Sequence, residues 1–198
     1  MTNFWDERYS EEDYAYGLLP NSYVKIQLDK LPPGNILFPA EGEGRNAVYA
    51  AKKGWMVTAF DSSKVAKHKA LALSKLNHTT IDYVVSNAED FTSNIKFEVL
   101  VLNYAHFPKG IRRNIHKHLI SFLKPKATII FEAFSKNQLQ YSSGGPKDKS
   151  MLFSINEIKN EFPNINFKEL KEENIQLNEG RYHQGMASVV RFTGELIK

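Results

Sequence analysis

The stretch Ile36-Leu37-Phe38-Pro39-Ala40-Glu41-Gly42-Glu43-Gly44-Arg45-Asn46-Ala47 decides how the rest of the chain is read. Ile36 to Phe38 is a short apolar run of the kind found in a buried strand. Glu41 to Asn46 places two glycines between that strand and a helix predicted over Arg45 to Lys53, closed by Gly54. Glycine lets backbone amides approach a ligand, and a helix N-terminus favours a negative group. Met56 to Phe60 reads as the next strand, and Asp61 stands at its end, about 20 residues past the glycines, the spacing at which a carboxylate meets ribose hydroxyls. Upstream, Asn21 caps a helix carrying Tyr23, Val24, Ile26, Leu28 and Leu31, which Pro32-Pro33-Gly34 stops.

Downstream the alternation continues. A Lys- and Ala-rich helix runs from Ser62 or Ser63 to about Leu76, strands follow at Ile81 to Val85 and Phe97 to Leu102, and a helix at Ile111 to Leu123 ends before Pro125. The Phe97 to Leu102 strand is continuously apolar, as expected at the centre of a parallel sheet. After a strand at Thr128 to Phe134, the polar stretch 135–150 is long enough to read as a lid or binding loop. Asn156 to Glu161 looks helical, and strands at Ile165 to Leu177 and Met186 to Phe192 with no helix between them predict a hairpin. The expectation is a single α/β domain over 1–198: a doubly wound, mostly parallel seven-stranded sheet with a C-terminal antiparallel hairpin, preceded by an N-terminal arm and helix over 1–31.

Composition narrows the function classes. The chain has 198 residues, 42% of them hydrophobic, with a net charge of +4. That bias is too weak and dispersed for a nucleic-acid footprint, so nucleic acid is not an expected partner. Cysteine is absent, which removes disulfides, thiolate metal sites and thiol nucleophiles, and no metal is expected. No signal-peptide pattern or apolar run of membrane-spanning length occurs, so a cytoplasmic protein without a membrane partner is expected; the oligomeric state is not legible.

The glycines and Asp61 together point to an adenosine ligand without choosing between two. Gly42-Glu43-Gly44-Arg45-Asn46-Ala47 also satisfies the G-x-G-x-x-A form of dinucleotide-binding enzymes. The chain ends in a hairpin soon after the fifth strand, leaving no second substrate domain, so the shorter ligand fits better.

Five separate motifs carry a family resemblance: Phe4-Trp5-Asp6-Glu7-Arg8-Tyr9, Tyr16-Gly17 with Pro20-Asn21, Ala40 to Ala47, Gly144-Gly145-Pro146-Lys147-Asp148, and Tyr182-His183-Gln184-Gly185. Through them nearly the whole chain resembles the small class I S-adenosylmethionine-dependent methyltransferases, and is similar within them to the tellurite-resistance methyltransferase family. The resemblance implies a Rossmann-like methyltransferase fold, S-adenosyl-L-methionine as cofactor and a small-molecule methyl acceptor. Carried over by position, it implies that Ala40, Glu41, Gly42 and Gly44 surround the amino-acid end of the cofactor. Asp61 takes the ribose, Ser62 borders the adenine, and Asn87 with the Ala88 amide reads the adenine edge. Asn103 and Tyr104 lie near the sulfonium, and Arg8 and Tyr9 close the pocket. The chain departs from the family pattern at Phe38, where an acidic residue is usual, at Ala40, which replaces the first glycine, and at Asn87, where aspartate is common.

Methyl transfer from a sulfonium is an in-line displacement in which the protein mainly orients the reactants. An acceptor that must lose a proton needs a base, and His106 and His183 are the candidates because histidine titrates nearest neutrality. Tyr141, Glu132 and Tyr182 are further candidates for acceptor contacts. His116 and His118, beside Arg112 and Arg113, read as a solvated helix face, and Trp5, Tyr9, Tyr14 and Tyr16 as packing of the N-terminal arm. Three rival readings stay open: an NAD(P)-dependent oxidoreductase, a nucleic-acid-binding module using the basic excess, and a methyltransferase-like domain that binds the cofactor without turnover.

Overall fold

Five strands run parallel, β1 (Asn35–Pro39), β2 (Met56–Asp61), β3 (Asp82–Val85), β4 (Phe97–Asn103) and β5 (Leu123–Phe134), and two close the sheet antiparallel, β6 (Ile165–Glu179) and β7 (His183–Leu196). The computed structural model describes residues 2–197. Among them the sheet order is β3-β2-β1-β4-β5-β7-β6. The helices are α1 (Thr2–Tyr9), α2 (Ser22–Leu28), α3 (Arg45–Lys52), α4 (Lys64–Leu76), α5 (Lys109–Ile120) and α6 (Ile155–Glu161). This is the doubly wound α/β sheet with a terminal hairpin that the sequence predicts.

The period of two along each strand divides the core into two layers. Ile36 and Phe38 of β1, with Val99 and Val101 of β4, pack on the side that holds Val24 of α2, Ala47 of α3 and Ala70 of α4. Leu37, Leu100 and Leu102 face the other way, onto Ile115 and Leu119 of α5 and Ile158 of α6. Phe38 is therefore fully buried among apolar side chains, each such ring contributing about 1.5–3 kcal/mol, and a carboxylate there would be desolvated without a partner.

The helices begin where the sequence supplies acceptors. Asn21 caps α2 by accepting from the Val24 amide at 3.0 Å, and Ser63, rather than Asp61 or Ser62, caps α4 by accepting from Ala66 N–H at 3.0 Å. Ser154 and Glu157 form a capping box on α6.

Several features depart from the sequence reading. Thr2 to Tyr9 is helical and lies across α4, because Trp5 and Tyr9 stack at 5.5 Å and bury their faces against the domain. β5 starts early: Leu123 pairs with Phe97, pairing skips to Val99 with Thr128, and Lys126 turns at φ +64° between them. The 135–150 stretch, expected as a lid or binding loop, is not among these departures; its buried Gln138 amide donates to Ser143 Oγ and Gly144 O at 3.0 Å and accepts from Ser188 N–H at 2.8 Å. Arg112 and His116 are not a solvated face. Both are buried, and both bind Glu161 of α6, Arg112 Nη2 at 2.5 Å and His116 Nδ1 at 2.9 Å. Periodicity could not show this, because a cation enters a core only where a tertiary partner meets it.

The N-terminal arm and the β6–β7 turn cross backbone to backbone. A Cβ on Gly180, whose φ is +61°, would lie 2.4 Å from Gly17 N and 2.5 Å from Ala15 O. Gly180→Ala is expected to cost roughly 2–4 kcal/mol, overpacking added to left-handed strain, as measured by urea unfolding.

Candidate functional site

The sheet order reverses between β1 and β4, so the loops leaving their carboxyl ends diverge and open a crevice. The loop after β1 is wound tightly: Ala40 takes φ +50°, Gly42 +65° and Gly44 +88°. A Cβ on Gly44 would stand 2.7 Å from that of Ala70, so glycine here lets α3 pack directly on α4. The Gly42 peptide is held at both ends, its N–H by Asp61 Oδ2 at 3.1 Å and its carbonyl by the Tyr83 hydroxyl at 2.5 Å.

Glu41 supplies the cap that Gly44 lacks. Its Oε1 accepts from Asn46 N–H at 2.9 Å and Ala47 N–H at 2.8 Å, placing a carboxylate on the first turn of α3. Burial pushes its carboxyl up to about 7, against the pull of the Ala47 amide, the Arg45 charge and the Asn46 amide. Glu43 points elsewhere, binding Ala15 N–H at 2.8 Å and Lys69 at 2.6 Å, and so fastens the arm to α4.

Asp61 ends β2 with its carboxylate buried, accepting from Ser63 N–H at 2.9 Å through the oxygen that does not hold Gly42. Burial raises its pKa, opposed by these amides. Ser62 is half-buried beside it. At the end of β3, Ala88 is buried and the exposed Asn87 donates to Asp90 Oδ2 at 3.0 Å. Over Asp61 and the loop lies α1, with the Tyr9 hydroxyl 2.7 Å from where a Gly42 Cβ would sit and Ser63 Oγ donating to Asp6 Oδ1 at 2.5 Å.

At the end of β4, Asn103 Oδ1 accepts from Asn46 Nδ2 at 3.2 Å, while Asn103 Nδ2 is buried with no hydrogen-bond partner. Tyr104 follows at φ +53°, its ring 4.7 Å from Phe134 and 4.6 Å from His183, its hydroxyl also buried without a partner in hydrogen-bonding geometry. The Tyr104 hydroxyl has the Glu132 carboxylate beside it, so the Asn103 amide is the unpaired donor at this strand end, at a cost of about 1–3 kcal/mol.

The two histidines singled out in the sequence sit in different settings. His106 Nδ1 binds Met151 O at 2.9 Å and its Nε2 accepts from Phe134 N–H at 3.3 Å, so both ring nitrogens are committed to backbone. Burial holds it down at about 4. His183 lies between Tyr16 and Tyr104, with Nδ1 on Glu179 Oε2 at 3.2 Å. Burial lowers its pKa, opposed by Glu179. Glu179 itself, against the burial that would raise it, is drawn down to about 2 by the His183 hydrogen bond and the Arg45 charge. Arg45 Nη2 reaches Glu179 at 2.9 Å and Asn21 Nδ2 reaches it at 2.9 Å. A cavity of about 280 Å³ opens beside His183, and another of about 500 Å³ lies between the 16–22 segment and the end of β6.

The crevice thus gathers Ala40, Glu41, Gly42, Gly44, Asp61, Ser62 and Tyr9, with Asn103 reached through Asn46; Arg8, Tyr104 and His183 group on its far side. Arg8 donates to the Tyr16 hydroxyl at 3.2 Å and lies 3.7 Å over the Tyr182 ring. Glu132 is fully buried, ion-paired to Arg191 and holding Asn21 Nδ2 at 2.6 Å, and Tyr182 donates to Glu11 at 2.5 Å; neither is free for an acceptor. Tyr141 is half-buried in the anchored loop. The sequence reading missed Tyr16, Asn21, Arg45 and Glu179 as site residues. Tyr16, Asn21 and Arg45 lie within the quoted motifs, and for Glu179 the local signal was its spacing of four from His183 across a turn.

No family model matches the chain, and no curated protein is similar to it in sequence. Solved structures are similar in fold. One, described as conversion of a disulfide bond into a thioacetal group during echinomycin biosynthesis, superposes with a TM-score of 0.81 at 16% identity, covering 99% of this chain and 91% of that one. TehB from Haemophilus influenzae gives 0.74 at 14%, covering 98% of this chain and 66% of that one. The N-methyltransferase NodS from Bradyrhizobium japonicum WM9, in complex with S-adenosyl-L-homocysteine, gives 0.72 at 11%, covering 100% and 98%. The fold is the Rossmann-like fold of S-adenosylmethionine-dependent methyltransferases. Among the described residues no helix is long and apolar enough to cross a membrane, and no group of three metal-ligating side chains forms.

A histidine held neutral in the folded chain contributes stability that is complete above its ordinary 6.5 and is lost as pH falls toward about 4. The stability gap between wild type and His106→Gln is therefore expected to narrow by roughly 3 kcal/mol between pH 7 and pH 4, read by urea unfolding at each pH.

Proposed function

We propose that the chain is an S-adenosylmethionine-dependent methyltransferase that methylates a small nucleophilic molecule, with the cofactor seated in the crevice between the ends of β1 and β4. The observation that carries this reading is the convergence on that crevice of the glycine loop, the buried Asp61 carboxylate and the unpaired Asn103 amide. These residues fit the group. Each Asp61 oxygen keeps a lone pair beyond its one backbone hydrogen bond, which suits ribose hydroxyls. Ala40 already adopts the left-handed conformation for which the family uses glycine. Ser62, Asn87 and the Ala88 amide border the adenine; Ala40, Gly42 and Gly44 border the methionyl end, where Glu41 stands in for the carboxylate missing at Phe38.

When bound, S-adenosylmethionine supplies a methyl group made electrophilic by the sulfonium. The chain's own residues orient the acceptor and manage its proton. His183 is the base: Glu179 accepts from Nδ1–H, which fixes the tautomer and leaves Nε2 to take the proton. His106, with both nitrogens engaged, is a strut between the β4 loop, β5 and Met151. Tyr9 and Arg8 close the crevice from α1, so α1 lifts for the cofactor to enter.

S-adenosylhomocysteine is expected to raise the melting temperature while NAD and NADP leave it unchanged, and Asp61→Ala to weaken its binding about 10- to 100-fold in calorimetry. Stabilisation by NAD alone would turn the assignment to an oxidoreductase. In a Trp55→Phe background, cofactor binding is expected to change Trp5 emission, since Trp5 stacks on the residue that covers Gly42. His183→Gln is expected to lower kcat about 10²- to 10⁴-fold on an accepted substrate with cofactor affinity retained, as single-turnover kinetics would show.

A further inference from the structure

The cavity beside His183 has a one-sided electrostatic lining. Arg8, Lys147 and Arg181 border it, and no carboxylate side chain does. Arg181 is matched by Glu11 at 3.1 Å, whereas among the described residues neither Arg8 nor Lys147 takes part in an ion pair. Arg8 is nevertheless held in place, by the Tyr16 hydroxyl at 3.2 Å and by the Tyr182 face at 3.7 Å, so little side-chain freedom remains to be lost on binding.

One wall of the cavity is the 142–145 loop. Gly144 and Gly145 take φ +134° and +85°, and a Cβ on Gly144 would come within 2.7 Å of the His183 ring. Ser143 Oγ donates to Met186 O at 2.6 Å and Gln138 Nε2 to Gly144 O at 3.0 Å, which fixes the loop against β7. The nearest part-buried carboxylate, Glu179, lies on the Nδ1 side of His183 and is neutralised by Arg45 at 2.9 Å. A fixed guanidinium, an unpaired ammonium and a rigid polar wall around about 280 Å³ make a site shaped for one small anion-bearing molecule.

We infer that this cavity is the acceptor subsite, and that it selects small organic molecules carrying a carboxylate or phosphate, which Arg8 and Lys147 hold at one end of the cavity while the nucleophilic end meets His183. The inference rests on the methyl-transfer reading for the fate of the bound molecule, whereas the binding itself does not depend on the cofactor.

The test is calorimetric titration of the intact protein with 4-hydroxybenzoate, with inorganic phosphate and with the neutral 4-hydroxybenzamide, each with and without saturating S-adenosylhomocysteine. At least one anion is expected to bind, and 4-hydroxybenzoate to bind about tenfold more tightly than the amide. Lys147→Glu, and separately Ser142→Asp, which sets a carboxylate at the cavity rim, are expected to weaken the anion about tenfold or more with the melting temperature unchanged. Equal binding of acid and amide, anion binding indifferent to both substitutions, or no anion uptake would each overturn the subsite. Uptake of the anion without uptake of S-adenosylhomocysteine would uphold the subsite and overturn the methyl-transfer reading; the reverse result would do the opposite.

Discussion

The Glu179 carboxylate, part-buried at the end of β6, is the junction on which the functional half of the molecule depends. It collects Arg45 from the start of α3, Asn21 from the cap of α2 and His183 from β7, three elements that meet nowhere else so directly. A carboxylate withdrawn from water persists as an anion only where charge and hydrogen bonds repay its desolvation, and here both are supplied from separate parts of the chain. Removing it would strip Arg45 of its ion-pair partner, leaving the Tyr16 carbonyl as its hydrogen-bond acceptor. The arm, the glycine-loop helix and the hairpin share this acceptor, alongside the Gly17–Gly180 backbone contact and the Arg45 bond to Tyr16 O at 3.1 Å.

From that junction the two halves of the crevice acquire different characters. On the β1–β2 side, donors are already spoken for by the protein's own carboxylates: Asp61 holds Gly42, and Glu41 holds the opening of α3. Capping α3 internally lowers the positive potential that a bare helix end would present, and it compensates for a loop in which Ala40 is forced left-handed. On the β4 side the pattern reverses, with Asn103 carrying an unpaired amide donor. Such donors cost stability in the ligand-free chain and return it when a partner arrives.

The α1 helix belongs to the first half. Its Tyr9 ring is stacked on Trp5 and its hydroxyl lies against Gly42, while Asp6 bonds the serine that caps α4. Tyr9 is buried with Ala15 and Ala66, so the helix that covers the loop is packed on the domain through this ring.

What the chain's linear pattern established was the alternation of elements, the switch from parallel strands to a hairpin, the glycine loop and Asp61, because hydrophobic period, turn residues and caps are local properties that each segment carries with it. Phe38 could be noted as a departure, but only the layer it enters explains why no carboxylate stands there. The helical nature of Thr2 to Tyr9, the burial of Arg112 and His116 on Glu161, the pairing of His183 with Glu179 and the commitment of both His106 nitrogens to backbone were decided by tertiary structure. The Arg112, His116 and His106 contacts join groups dozens of residues apart, and the His183–Glu179 pair, although only four residues apart, is fixed by the turn and by Arg45 from α3; a side chain's charge state, partners and exposure follow from that proximity.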